Sequence, residues 1–302
     1  MTRRCGRINT APAAARRDLA VMLRLVCLLA IAAAHARPDA PAQIDAWDTD
    51  TDTTEPTDLE TTLEPAPAPV HQRFPHAVLF GGTCGGTIIS ARWVLTAAHC
   101  TLFTGGRSIL AGTSNSESGS GLSVRIKKLH VHPRFSVGPY WLNAKRFNFK
   151  QIGARWDFML AELESPLPLD GVNMAAAALD GGPLPADTPV GYAGYGAEHH
   201  GGLMRPDMHD RALRTLPDER CAALEQYDPL DMLCAEGRTE TRDSACNGDS
   251  GSGLVTDDGG PRRVIGVASW VENDAHSCSP GAIVVFSRVS AVRPWIKQIT
   301  GV

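Results

Sequence analysis

The sequence has little net charge and no apolar run long enough to cross a bilayer. Its 302 residues carry a formal net charge of −4, which is too small to indicate binding to nucleic acid or to an acidic partner. The apolar run VCLLAIAAA at 26–34 is much shorter than the roughly 20 residues of a membrane-spanning helix. We therefore expect a globular protein without nucleic-acid binding or stable membrane association, and we expect a monomer.

The sequence also lacks any C-x₂-C pair, which is the usual spacing of structural zinc sites. We expect no metal and no other cofactor. Of eight cysteines, Cys5 and Cys27 lie in a region predicted to be removed. The other six form an even set in a chain predicted to be secreted, which predicts three disulfides with fifteen possible connectivities. Their order favours sequential pairing, as Cys84–Cys100, Cys221–Cys234 and Cys246–Cys278.

The first 73 residues have the pattern of processing and linker segments. We interpret residues 1–36 as an N-terminal extension and signal peptide, because the short apolar run is preceded by Arg24 and followed by AHA, which ends at Ala36. Met22 is a more natural start for this signal than Met1. Residues 37–73 contain an acidic, Thr- and Pro-rich stretch without apolar periodicity, which predicts a disordered pro-segment or linker. The remaining residues, 74–302, are predicted to form the folded domain of an extracellular protein.

The folded domain has the pattern of an all-β protein. Short apolar runs such as HAVLF, SVRIKKLHVH and AIVVFSRV alternate with Gly, Pro and Asp, which indicates strands in a barrel or sandwich. The end of the chain differs, since Val292, Trp295, Ile296 and Ile299 recur at helical spacing. We therefore predict an all-β domain, large enough for two small cores, that ends in a helix.

The stretch DSACNGDSGSGL at 243–254 places a serine, Ser250, after Gly248-Asp249 and before Gly251. A serine hydroxyl is a weak nucleophile that needs a base within hydrogen-bond reach and a third group to orient that base. Two other segments offer these groups: His99 in WVLTAAHC and Asp157 in RWDFMLAEL. The chain order His, Asp, Ser is that of one of the known convergent triads, and the parallel βα units of the others are not predicted here.

In these blocks the sequence resembles the chymotrypsin family of serine proteases from about residue 74 to the end. The likeness is carried by CGGTIISARWVLTAAHC, DFMLAEL, GYG at 194–196, MLCAEG, CNGDSGSGL and GVASW. It implies two six-stranded antiparallel β-barrels with a C-terminal helix, and the three sequential disulfides fit it. It also implies a catalytic triad of His99, Asp157 and Ser250.

The same resemblance assigns supporting roles around the serine. The backbone N–H groups of Gly248 and Ser250 would form the oxyanion hole. Asp249 would anchor this loop, and Ser269 would donate a hydrogen bond to Asp157. Ser252 and Gly253 depart from the usual glycine and proline of the family, and neither change removes a reacting atom.

Substrate selectivity is predicted from three positions that line the family's specificity pocket. Ser244 stands where trypsin-like members carry an acidic residue, and Asp243, one residue earlier, is expected to point elsewhere. Val271 and Val284 stand where the pocket walls usually carry glycine. A neutral, narrowed pocket favours small apolar residues before the scissile bond. If Gly281 were the wall residue instead, the pocket would be wider and would accept aromatic residues.

Activation is where the sequence departs most from the family. Zymogens of the family are cut before Ile-Val-Gly-Gly, and the new amino group pairs with the aspartate that precedes the nucleophile. No such tetrapeptide occurs here, and Arg73 is the nearest basic residue. We therefore predict that activity does not require trypsin-type cleavage, that local hydrogen bonds or a nearby cation hold Asp249, and that Asp249→Asn is milder than in relatives.

The resemblance to haemolymph members of the family implies a protein or peptide substrate in an immune or coagulation response. Cascade proteins and serpin-type inhibitors would be its partners. Two other classes stay open: a non-catalytic homologue that acts as a binding cofactor in a protease cascade, and an adhesive or polyanion-binding protein. The basic strand RIKKLHVHPR at 125–134 suggests the second. A long insertion at 135–155 is predicted to border the substrate cleft.

Overall fold

The computed structural model describes residues 66–302 apart from 103, 138–152, 181, 183, 242 and 273–277. The described residues belong to one compact unit, Glu64–Val302. The predicted signal peptide and most of the predicted linker lie outside the described residues, as does most of the insertion at 135–155. Within the described part, no helix has both the length and the apolar character needed to cross a membrane.

The first half of the folded unit is a closed antiparallel barrel of six strands, in the order β1-β2-β3-β8-β5-β4. The barrel closes because β1 pairs with both β2 and β4. Its interior is filled by side chains such as Phe80, Ile88, Leu95 and Leu160, each at most 1% exposed. The strands are β1 Ala77–Phe80, β2 Cys84–Ser90, β3 Trp93–Thr96, β4 Ser108–Ala111, β5 Leu122–Val131 and β8 Met159–Leu163.

The second half is another antiparallel barrel, in the order β13-β10-β11-β12-β15-β14, closed by pairing of β13 with β14. A short seventh strand, β9, pairs in parallel with β14 at the margin. The two-barrel prediction is therefore confirmed, with β9 as an addition. The strands are β9 Ala178–Leu179, β10 Pro189–Gly194, β11 His209–Thr215, β12 Met232–Gly237, β13 Gly253–Thr256, β14 Arg263–Val271 and β15 Val284–Arg288.

Short helices and one small hairpin complete the described elements. The hairpin pairs β6 Ser136–Val137 with β7 Ala154–Arg155, on either side of the insertion. Helices α1 Val70–Arg73 and α2 Asp218–Cys221 have one turn each. The predicted C-terminal helix is confirmed as α3 Arg293–Thr300, which follows a 3₁₀ turn at Val289–Val292 and ends at Gly301 with φ 79°. Its buried side chain is Ile296, and Trp295 and Ile299 pack against the same core.

All three predicted disulfides are present, and each ties a loop to a strand or to another loop. Cys84–Cys100 joins β2 to the 3₁₀ turn Ala98–Leu102. Cys221–Cys234 joins α2 to β12. Cys246–Cys278 holds the segment that precedes Ser250. Since His99 lies in that 3₁₀ turn, two of the three bridges restrain the loops that carry the predicted chemistry.

Candidate active site

His99 and Asp157 form a buried pair in the first barrel. His99 lies in the 3₁₀ turn that follows β3, and Asp157 lies two residues before β8, the strand paired with β3. The His99 Nδ1 atom is 2.6 Å from Asp157 Oδ2, and the His99 backbone N–H donates to Asp157 Oδ1 at 2.8 Å. The carboxylate thus fixes both the ring and the main chain of the histidine. With the proton held on Nδ1, the nitrogen that can accept a proton is Nε2.

Asp157 receives a third hydrogen bond from Ser269 on β14, whose Oγ donates to Oδ2 at 2.6 Å. Burial raises the pKa of this fully buried carboxyl, but the charge of His99 and the hydrogen bonds from His99 and Ser269 outweigh burial, so the pKa is lowered. Asp157 is therefore a carboxylate that stabilises positive charge on the neighbouring imidazole.

The residue before Asp157 has a backbone conformation that few side chains adopt. Trp156 has φ 51°, in the left-handed region where a bulky residue is unusual. Its backbone N–H donates to Asp231 Oδ2 at 2.6 Å, and Asp231 Oδ1 accepts from Arg155 Nε at 2.8 Å. The indole ring is stacked on His132 and lies under the Arg134 guanidinium, 3.7 Å from the ring centroid. These contacts hold the main chain in place immediately before Asp157.

Asp231 is not among the site residues predicted from the sequence. In the structure its side chain is buried, with 0% exposure. It lies some 75 positions from Trp156, in the loop before β12, so no local pattern connects the two. The only sequence signal was an aspartate beside the apolar strand MLCAEG.

The loop that carries Ser250 packs against the segment that leads to His99. The carbonyl oxygen of Ser250 accepts from the Gly85 N–H at 2.7 Å. Gly251 has φ 83°, and a Cβ at this position would overlap Thr96 Oγ1 at the end of β3. The glycine after the serine is therefore required both by the turn and by the close approach of the two segments.

Gly248 and Ser250, the residues predicted to form the oxyanion hole, lie on either side of Asp249 in one tight turn. Gly248 has φ 101°, and a Cβ there would overlap the Met204 side chain. The N–H groups of Asp249, Gly251 and Ser252 are used in hydrogen bonds to main-chain carbonyls. Among the described residues, no such internal acceptor takes the Gly248 and Ser250 N–H groups. Two donors within one tight turn can thus bind an oxyanion.

Asp249 is turned away from the solvent, and its exposure is 1%. The carboxylate accepts from the backbone N–H groups of Gly196 and Cys246, each at 3.0 Å. A Cβ on Gly194 or Gly196 would overlap this carboxylate. The glycines of the GYG motif are therefore needed to let Asp249 approach the main chain.

The three predicted pocket residues all lie in the second half of the folded unit. Val271 and Val284 are directly opposite each other on the paired strands β14 and β15. Ser244 is 8% exposed. Asp243 accepts a hydrogen bond from the Ala212 N–H at 2.9 Å and lies near Arg211 of the same strand, β11, so its charge is directed at that strand.

The chain belongs to the trypsin family of serine proteases, and it is therefore a hydrolase. The family model described as Trypsin matches residues 65–296. The fold agrees with this assignment: the solved structure of neuropsin, a serine protease expressed in the limbic system of mouse brain, superposes with a TM-score of 0.62. That alignment has 22% identity and covers 76% of this chain and 95% of neuropsin.

Two curated relatives narrow the comparison. Scolexin B from Heliothis virescens is 63% identical over 237 residues, which are 78% of this chain and 81% of that protein. Chymotrypsin-like elastase family member 1 from Canis lupus familiaris is 30% identical over 223 residues, with 72% and 81% covered. The chain is thus similar to an insect scolexin and to elastase-type proteins.

We predict that Asp231→Ala destabilises the protein by about 2–4 kcal/mol, because it removes charge-assisted bonds to Trp156 and Arg155. It should also lower kcat, since the chain before Asp157 loses its anchor. Thermal unfolding and steady-state kinetics would measure the two effects. Asp228→Ala is a matched control, since Asp228 binds the same Arg155 at 2.7 Å but is half exposed; it should cost less than about 1 kcal/mol. Equal effects of both variants would show that Trp156 needs no such anchor.

Proposed function

We propose that this protein is a secreted serine endopeptidase in which Ser250 is the nucleophile, His99 the general base and acid, and Asp157 the group that orients His99. The observation that carries the proposal is the buried His99–Asp157 pair, with its 2.6 Å contact, together with the Ser250 loop, which packs against Gly85 and Thr96. A histidine with only a structural role would not need its carboxylate partner, Asp157, to be bound in turn by Ser269 on β14.

The chemistry follows from these positions. Ser250 Oγ attacks the peptide carbonyl carbon while His99 takes the hydroxyl proton, and the charge that develops on the imidazole is stabilised by Asp157. The oxyanion of the tetrahedral intermediate is bound by the N–H groups of Gly248 and Ser250, each worth about 3 kcal/mol in the transition state. His99 then returns the proton to the leaving amine, and a water molecule hydrolyses the acyl-enzyme by the same route.

We further propose a preference for small apolar residues before the scissile bond. Two valines on paired strands narrow a slot that glycines would leave open, and Ser244 puts no charge at its base. Asp243, the nearest acid in sequence, is directed toward Arg211 and Ala212. The identity to an elastase-type protein points in the same direction.

For the biological setting, we propose an extracellular role in a haemolymph immune or coagulation response, with cascade proteases and serpin-type inhibitors as partners. The support is the identity to Scolexin B over most of both chains, together with the predicted signal peptide and the three disulfides, which are typical of secreted proteins.

A binding role without catalysis is the second candidate function, and polyanion binding through strand β5 is one form of it. Two of the basic residues on β5 are already close to acidic residues: Lys127 lies 2.6 Å from Glu162, and Arg125 lies 3.6 Å from Glu164. These pairs reduce the positive charge that a polyanion would meet. We therefore favour the enzyme.

We predict that a fluorophosphonate probe labels the folded protein on Ser250 and that Ser250→Ala abolishes labelling, because only an activated serine hydroxyl attacks phosphorus at a useful rate. Mass spectrometry of the labelled peptide would locate the adduct. Ser252→Ala is the matched control; its hydroxyl is fully buried two residues away, and it should label normally. Folded wild-type protein that resists the probe would instead support the binding role.

We also predict that peptide substrates with Ala or Val before the scissile bond are cleaved faster than those with Phe or Arg. The double variant Val271→Gly/Val284→Gly should gain activity toward Phe, because it widens the slot. A peptide-library profile of both proteins would measure the change. A wild-type preference for Arg would overturn the pocket assignment and implicate Asp243, and a wild-type preference for Phe would favour Gly281 as the wall residue.

A further inference from the structure

Asp249, next to the proposed nucleophile, has two side-chain neighbours besides the backbone N–H groups of Gly196 and Cys246. The Tyr192 hydroxyl donates to Asp249 Oδ2 at 3.1 Å. The Nε2 atom of His209 lies 3.5 Å from Asp249 Oδ1. Among the described residues, the polar groups around this carboxylate are therefore two backbone N–H groups, one hydroxyl and one imidazole.

Tyr192 and His209 lie on the paired strands β10 and β11, where His209 is the register partner of Gly194. Tyr192 is 0% exposed, and its hydroxyl also lies 3.3 Å from the carbonyl oxygen of Ser244. Burial, followed by the negative charge of Asp249, raises the pKa of Tyr192 well above its ordinary value. The hydroxyl therefore keeps its proton and acts as a hydrogen-bond donor to the carboxylate.

His209 is the second side chain that lies beside Asp249. Its side chain is 12% exposed, and among the described residues neither ring nitrogen makes a hydrogen bond. The other charged groups on β11 have their own partners: Asp210 binds Arg73, and Arg211 lies 3.5 Å from Asp243. The Nε2 edge of the imidazole therefore faces Asp249.

The chain around Arg73, where the folded domain begins, is also held by side-chain contacts. The Arg73 guanidinium binds Asp210, and the Arg73 carbonyl oxygen accepts a hydrogen bond from Arg262. Phe74 is 4% exposed, with the Arg262 guanidinium 4.2 Å from its ring centroid. The peptide bond that a trypsin-type protease would cut is thus held on the surface of the fold, and its carbonyl is already engaged.

We propose that Tyr192 and His209 are positioning residues that hold Asp249, and with it the oxyanion-binding turn, in the uncut chain. This inference rests on the proposed protease function. The turn is built on Asp249: its N–H donates to the Cys246 carbonyl, and its carbonyl accepts from the Ser252 N–H, each at 3.0 Å. A fixed carboxylate therefore fixes the peptide groups on both sides, and these include the N–H groups of Gly248 and Ser250.

The first test compares two buried tyrosines. Tyr192→Phe should lower kcat roughly tenfold and change KM by less than about twofold, because a bond to a charged group that orients the oxyanion donors is lost. Tyr195→Phe is the matched control; its buried hydroxyl donates to the Thr113 carbonyl at 2.9 Å and does not contact Asp249. It should keep kcat within about twofold at a similar loss of thermal stability. Equal kcat losses would overturn the inference.

His209 gives a second, independent comparison if Tyr192→Phe folds poorly. His209→Leu should lower kcat roughly tenfold, and His209→Gln, which keeps a donor that can reach Asp249, should recover most of this loss. If the glutamine variant is as slow as the leucine variant while both remain folded, His209 does not act through Asp249.

The deciding experiment uses the secreted full chain. Fluorophosphonate labelling is measured on protein whose N-terminus has been sequenced, before and after limited trypsin digestion. We expect the uncut chain to label at a rate within about threefold of the digested chain. Labelling that appears only after a cut between Thr57 and Phe74 would overturn this inference and leave the protease function standing. If neither form labels, the protease function itself fails.

Discussion

The contact between His99 and the buried carboxylate of Asp157 is the interaction on which the rest of the site depends. Asp157 has 0% exposure and accepts three hydrogen bonds. A charge at this depth is tolerated only when its oxygens are satisfied. The partners come from the 3₁₀ turn after β3 and from β14, so both barrels must be in place before this carboxylate is stable.

Close approach of main-chain segments is the second constraint. Gly85, Gly194, Gly196 and Gly251 all lie where a Cβ would overlap the nucleophile loop or a segment packed on it. A Cβ on residue 85 would overlap the Ser252 side chain. The Ser252 side chain therefore fits because residue 85 is glycine. Because the residues on both sides of the loop are small, the main-chain segments pack directly against each other and hold the tight turn rigid.

Groups from the second barrel contact residues next to the proposed triad. Trp156, with its left-handed backbone, is held by Asp231, and Asp249 has Tyr192 and His209 as neighbours. In each case a group from the second barrel stabilises a residue next to a reacting one.

From the sequence, local patterns predicted an all-β domain that ends in a helix, three disulfides from an even cysteine set, and three candidate reacting residues. The short blocks around His99, Asp157 and Ser250 carried the resemblance that implied the family and the two barrels, and the sequential disulfide pairs fit that resemblance. Only the tertiary structure showed that Asp231 binds Trp156, that Asp243 is directed at β11, and what surrounds Asp249. Those contacts join residues about 30 to 75 positions apart. Strand register decides them, and in a single sequence register leaves no local mark, since a shift of one residue turns a side chain to the opposite face of the sheet.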